Sequence, residues 1–252
     1  MTFPSRTTIA AAVLAAAAVA GTAGWSVSHG SVEPAAVTGS LDLGSVSAPT
    51  TDFDRSAVLA TIDRIPVAAA GAMTGYSRAK FPHWKYATEA LGWTRDVGAC
   101  DGREAALWRD GKNLRWTDQS RCQFIAAPGG GWTDPYGTID RKTGALNAPL
   151  QSSDPSKFDI DHIVAIADAW RSGASTWTND QRQALANDAT NLVVASATAN
   201  RSKGDQGPAT YLPPNPSGRC NYVQAYATVK DKYHLAITAA DRDALIAAAN
   251  KC

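Results

Sequence analysis

Two short stretches hold residue types suited to phosphoryl chemistry. Of the four histidines in the chain, His162 alone directly follows a carboxylate, Asp161, within the segment FDIDHIV. An unperturbed imidazole titrates near ~6.5, so it can take a proton from water at neutral pH. Downstream, NLVVASATANRSKGD contributes Asn191, Asn200 and Lys203. An amide oxygen is a hard donor, and a carboxylate with an amide leaves most positions around a small divalent cation for water and phosphate oxygens. The types assign His162 as general base and Asp161 with Asn200 as holders of one cation, Mg²⁺ with Mn²⁺ or Ca²⁺ also open. Lys203 is a point charge for a phosphate oxygen and Arg201 a second phosphate contact, while Asp159 orients the groups around it.

The elements that must position these groups follow from local pattern. FDIDHIVAI alternates and is rich in Ile and Val, which predicts a strand running into His162. Neighbours on a strand point to opposite faces, so Asp161 and His162 serve one site only if the strand ends there, with a local irregularity. TNDQRQALAND reads as a helix capped by Thr178, and NLVVASATAN as a second strand turning into a helix that closes near Gly204-Asp205. Upstream, DFDRSAVLATIDRI starts a helix from an aspartate cap, and residues 76 to 150 read as short strands and loops. The tail is helical in two pieces, NYVQAYATVKDKYH and TAADRDALIAAAN, the second capped by Thr238.

The pair Asp159-Ile160-Asp161-His162-Ile163-Val164 and Asn191-Leu192 through Asn200-Arg201-Ser202-Lys203-Gly204-Asp205 resembles the HNH endonuclease superfamily. Within it, the pair is similar to secreted bacterial nucleases of the GmrSD C-terminal type. YSRAKFPHW, CDGRE, GWTDPYG, DAWRSGAS and YLPPN resemble the accompanying blocks of that family. The resemblance implies an α+β fold with a ββα-metal core at about 157–206, inside a single disulfide-bonded domain with flanking helices and short strands. It implies that His162 deprotonates the attacking water, that Asp161 and Asn200 hold the cation, and that Asn191 braces the loop bearing the histidine. Products would carry 5′-phosphates. The chain departs from the family in having Ala165 where a proline is usual, and its CDGRE block is looser, which leaves a role for Arg103 or Glu104 open.

Composition bounds the rest. The 252 residues are 44% hydrophobic, enough for one globular domain, read here as residues 53–252. Residues 1–25 read as a secretory signal: Arg6, an apolar run from Ile9 to Ala20 too short for a bilayer, then small residues. Residues 26–52 are rich in Ser, Gly, Ala, Pro and Thr and read as a flexible spacer. An exported chain makes disulfides the reading for Cys100, Cys122, Cys220 and Cys252, none of them in a CxxC pair. Three connectivities are open, and the local one closes the shortest loops. A net charge of +1 excludes a broadly basic nucleic-acid binder, so cations must concentrate beside a cleft.

The expectation is a secreted monomeric endonuclease acting on DNA, with RNA also open, with little sequence preference and no stable membrane association after signal cleavage. One rival is a secreted polysaccharide or cell-wall hydrolase using Asp159 and Asp161, which would work without metal. The other is a non-catalytic extracellular nucleic-acid-binding protein. His83 reads as an imidazole packed among aromatics and His234 as a cation at a helix end. Arg171 is read equally as a phosphate contact or a solvated arginine.

Overall fold

In the computed structural model the described residues are 53–252; the expected signal and spacer lie outside them. Helix α1 (Arg55–Arg64) starts at Asp54, whose carboxylate accepts from the Ala57 N–H. Past a run of turns, α2 (Gly102–Asp110) leads into β1 (Lys112–Asp118) and β2 (Gln123–Thr133), an antiparallel pair with β3 (Gln151–Ser152) on its far side. Next come β4 (Phe158–His162), α3 (Ile166–Arg171), α4 (Asn179–Asn187), β5 (Leu192–Ser196) and α5 (Ala197–Lys203). The chain closes with α6 (Pro216–Lys232) and α7 (Ala239–Ala249). The architecture is α+β, and Thr178 and Thr238 cap α4 and α7 as the sequence predicts.

One expectation is corrected between residues 76 and 150. Read as strands and loops, this stretch contains the nine-residue helix α2, closed at its start by a reciprocal cap between Asp101 and Glu104. An acidic cap with Glu three residues on is a helix-start signature in CDGRE, hidden by the turn residues around it. The far end of α2 is tied to β5. Arg109 donates to the carbonyls of Ala189 and Leu192, and Asp110 accepts from the Val194 N–H.

The two disulfides are Cys100–Cys122 and Cys220–Cys252, the local pairing. The first belongs to a core with Trp93, Trp132, Phe158, Ile160, Leu192 and Val194; the second fastens α6 to the C-terminal residue. The other core gathers α1, α3, α6 and α7 around Tyr222, Tyr226, Leu235 and Leu245. Strands β4 and β5 divide these two masses. Phe158 and Ile160 face the disulfide core, which leaves Asp159 and Asp161 on the opposite side of the strand.

Candidate active site

Strand β4 pairs antiparallel with β5 in unbroken register, from Phe158 opposite Ser196 to His162 opposite Leu192. The strand ends at His162 as expected, but without the irregularity the sequence reading demanded. The two faces are served instead from two sides. Helix α5 follows β5 directly and lies along the aspartate face. There Asn200 and Lys203, three apart on the helix, meet Asp159 and Asp161, two apart on the strand: Asn200 Nδ2 donates to Asp159 Oδ2 at 3.1 Å and Lys203 Nζ to Asp161 Oδ1 at 3.0 Å. Tyr136 completes the grip, its hydroxyl donating to Asp161 Oδ2 at 2.7 Å.

His162 points the other way, toward the end of α4. Its Nε2 is 2.9 Å from the carbonyl oxygen of Ala186, one of the last carbonyls of that helix and without a helical partner. A carbonyl only accepts, so Nε2 carries the proton and Nδ1 keeps a free lone pair. The ring is 4% exposed, stacked under Trp84 at 6.1 Å and edge-on to His83 at 6.2 Å. Burial drives the imidazole down to about 3, helped by the charges of Arg78 and Lys203 and opposed by the Ala186 bond. The ordinary imidazole value expected from sequence is therefore corrected: His162 is neutral across the physiological range, and a weaker base than a free histidine.

Asn191 is wholly buried and acts on the backbone around the histidine. Its Oδ1 accepts from the Val164 N–H at 2.8 Å, its Nδ2 donates to Leu185 O at 3.2 Å, and its own carbonyl accepts from the Ile163 N–H at 2.8 Å. It thereby joins the chain after His162 to the same end of α4 that binds the imidazole. Ala165 stands at φ −55°, within the range a proline would impose, so the missing proline leaves the local path unchanged.

Lys203 does not face a phosphate. Its ammonium is fully buried and is used by Asp161 and by the carbonyl of His162, at 2.8 Å, which overturns the expected substrate contact. Burial pushes the Asp161 carboxyl up from its ordinary value, against the pull of Lys203 and Tyr136. Asp161, His162, Asn200 and Arg201 nevertheless all border one cavity of about 340 Å³, together with Tyr76 and Arg78. Arg78, exposed at its rim, is a cation the sequence reading missed; it belongs to YSRAKFPHW, far from the two motifs. Tyr136 lay equally hidden within GWTDPYG, and Trp84 within FPHW. Arg171 is engaged with the carboxylate and carbonyl of Asp205, and His234 is exposed past the end of α6.

The donor set around the cavity suits a hard cation. Each carboxylate oxygen of Asp161 accepts one hydrogen bond and so keeps a lone pair. The bond from Asn200 Nδ2 to Asp159 fixes the amide orientation and turns Oδ1 away from that carboxylate. Among the described residues a second cluster of ligand-type side chains, Cys100, Glu104 and Cys122, is no metal site, because both sulfurs are in a disulfide.

Residues 136–248 match the family model of the GmrSD restriction endonucleases, C-terminal domain. An uncharacterized secreted protein of Arthroderma benhamiae is 39% identical over 184 residues, covering 72% of this chain and 78% of its own. No solved structure matches.

Proposed function

Because the chain belongs to the family that carries the GmrSD restriction-endonuclease C-terminal domain, we propose that it is a secreted, metal-dependent endonuclease of the HNH type. It hydrolyses phosphodiester bonds of DNA, and of RNA as a second substrate, with low sequence specificity. The observation that carries this reading is the placement of His162: its Nε2 is held on the Ala186 carbonyl, and the residue borders the cavity it shares with Asp161 and Asn200. Strands β4 and β5 with helix α5 are then the ββα-metal core, within a single nuclease domain of residues 53–252.

In this reading Nδ1 of His162 accepts the proton of the attacking water. Asn191 holds the chain after His162 against the end of α4, and the Ala186 carbonyl there holds the imidazole by its Nε2–H. Asp161 and Asn200 would hold a Mg²⁺ ion, which supplies polarisation of the phosphate and stabilisation of the leaving oxygen. Lys203 and Tyr136 hold the Asp161 carboxylate in place, and Asp159 does the same for Asn200. Arg78 and Arg201 line the cavity and balance phosphate charge. The products carry 5′-phosphates.

Export is supported by the secreted relative, by the apolar N-terminal run and by two disulfides, which persist in oxidising compartments. No helix among the described residues is long and apolar enough to cross a membrane. We take the mature protein to be a monomer. The carbohydrate-hydrolase alternative finds little support, since Asp161 is bonded to Lys203 and Tyr136 and Asp159 to Asn200, which leaves neither carboxylate without a side-chain partner.

Digestion of plasmid and of RNA by the mature protein tests the proposal, with Mg²⁺, with EDTA, and with His162→Ala. Cutting should need the metal and fall by about 10²–10⁴-fold in the variant. Undiminished cutting in EDTA would sink the mechanism. Tight binding with no turnover in Mg²⁺, Mn²⁺ or Ca²⁺ would replace it with the non-catalytic alternative.

A further inference from the structure

A second cavity, larger than the one beside His162, is formed by the described residues. At about 540 Å³ it lies across α5, walled by the segment Gly137–Ile139 with Arg141, by Thr198, Arg201 and Ser202, and by Thr210–Leu212 with Pro214. Thr198, Arg201 and Ser202 are spaced i, i+3, i+4 and form one face of the helix, while Asn200 and Gly204 turn toward the site cavity. Arg201 borders both. Its Nε is fixed on the Ala197 carbonyl at 2.9 Å, leaving the two terminal nitrogens free to donate.

The chemistry of this second cavity is one-sided. Two exposed arginines line it and no carboxylate does. It is not a bare anion site, because the lining also offers Ile139, 44% exposed, the half-buried ring of Tyr211, Leu212 and Pro214. Cations beside an apolar and aromatic wall suit a ligand that is at once anionic and flat. A nucleotide of a single strand fits that description, with its phosphates on the arginines and its base on the apolar wall.

We propose that this cavity is a nucleotide subsite, receiving the unpaired nucleotide adjacent to the scissile phosphate and making the protein selective for single-stranded substrate. The proposal rests on the nuclease reading of the neighbouring site for its direction along the strand. A base can enter such a cavity only outside a duplex, and a paired base must first be unpaired and unstacked. Arg201 is the hinge of the arrangement, bridging the phosphate that reacts and the nucleotide beside it.

Fluorescence anisotropy in EDTA measures binding without chemistry. The probe is a fluorescein-labelled DNA strand of about 12 nucleotides, within the range a single-strand site covers, with its duplex for comparison. The protein should bind the single strand at least about tenfold more tightly than the duplex. Thr198→Glu puts a carboxylate in the first turn of α5, where it favours the helix, and should weaken single-strand binding about tenfold. Ile139→Ala, on an exposed loop, should weaken it about threefold and leave duplex binding within about twofold. Equal affinity for both forms, or single-strand binding indifferent to both substitutions, overturns the subsite. Digestion of the same oligonucleotides in Mg²⁺ separates the two claims. Cutting with insensitive binding retains the nuclease and removes the subsite; the expected binding with no cutting retains the subsite as a single-strand binding site and removes the nuclease.

Discussion

Lys203 and Asp161 form an ion pair at 3.0 Å with essentially no exposure to solvent, the lysine from helix α5 and the aspartate from strand β4. Removing one partner of such a pair leaves the other charge buried and uncompensated, at about 3–5 kcal/mol. Lys203→Met should therefore lower the urea midpoint by the equivalent of that loss. A lysine that merely touched phosphate would instead leave the midpoint unmoved and raise KM, and that result would contradict the positioning role.

Asn191 satisfies backbone groups on both sides of the histidine loop. In Asn191→Ala the Val164 N–H and the Leu185 carbonyl lose their partner, at about 1–3 kcal/mol for each buried group left unsatisfied. The larger effect should be kinetic. Because Asn191 is buried away from substrate, kcat on a single-stranded DNA oligonucleotide should drop while KM stays within about twofold, the pattern of a misplaced base. A rise in KM at constant kcat would mean that Asn191 reaches substrate.

Arg78 predicts the opposite split. It is exposed at the cavity rim and is held by no ion pair to a carboxylate among the described residues. Arg78→Ala should raise KM, weaken the dependence of binding on salt, and leave thermal stability within about 0.5 kcal/mol, as surface substitutions do. An unchanged salt dependence would remove Arg78 from the substrate path.

Arg171 gives a pH prediction. Its hydrogen bond to the Asp205 side chain holds that carboxyl below its ordinary value. The native state thus binds fewer protons there than the unfolded chain, whose aspartate titrates near ~3.9. The stabilisation is present above that value and is lost as pH falls through the lower, folded one. Thermal midpoints of the protein and of Arg171→Ala should differ most at pH 6 and converge below about pH 4. Some gap should persist, since Arg171 also donates to the Asp205 carbonyl, which does not titrate. A constant gap down to the acid limit would assign the whole effect to that carbonyl.

Local chemistry was legible wherever the signal lies within a few residues. Asp54, Thr178 and Thr238 announce their helices because a cap is a contact between near neighbours. The alternation in FDIDHIV and the turn at Gly204, whose φ of 57° favours glycine, mark out the strands and helix around His162. Tertiary structure decided what those residues do. Strand geometry alone sends Asp161 and His162 to opposite faces. Only the packing of α5 on one side and the end of α4 on the other gives the carboxylate its lysine and the imidazole its carbonyl. Lys203 illustrates the limit: in sequence it is a cation beside a motif, and its burial against Asp161 follows from a register between helix and strand 42 residues apart. Tyr136, Trp84 and Arg78 were equally out of reach, because nothing local distinguishes a side chain that closes a distant site from one that packs in a core or sits in water.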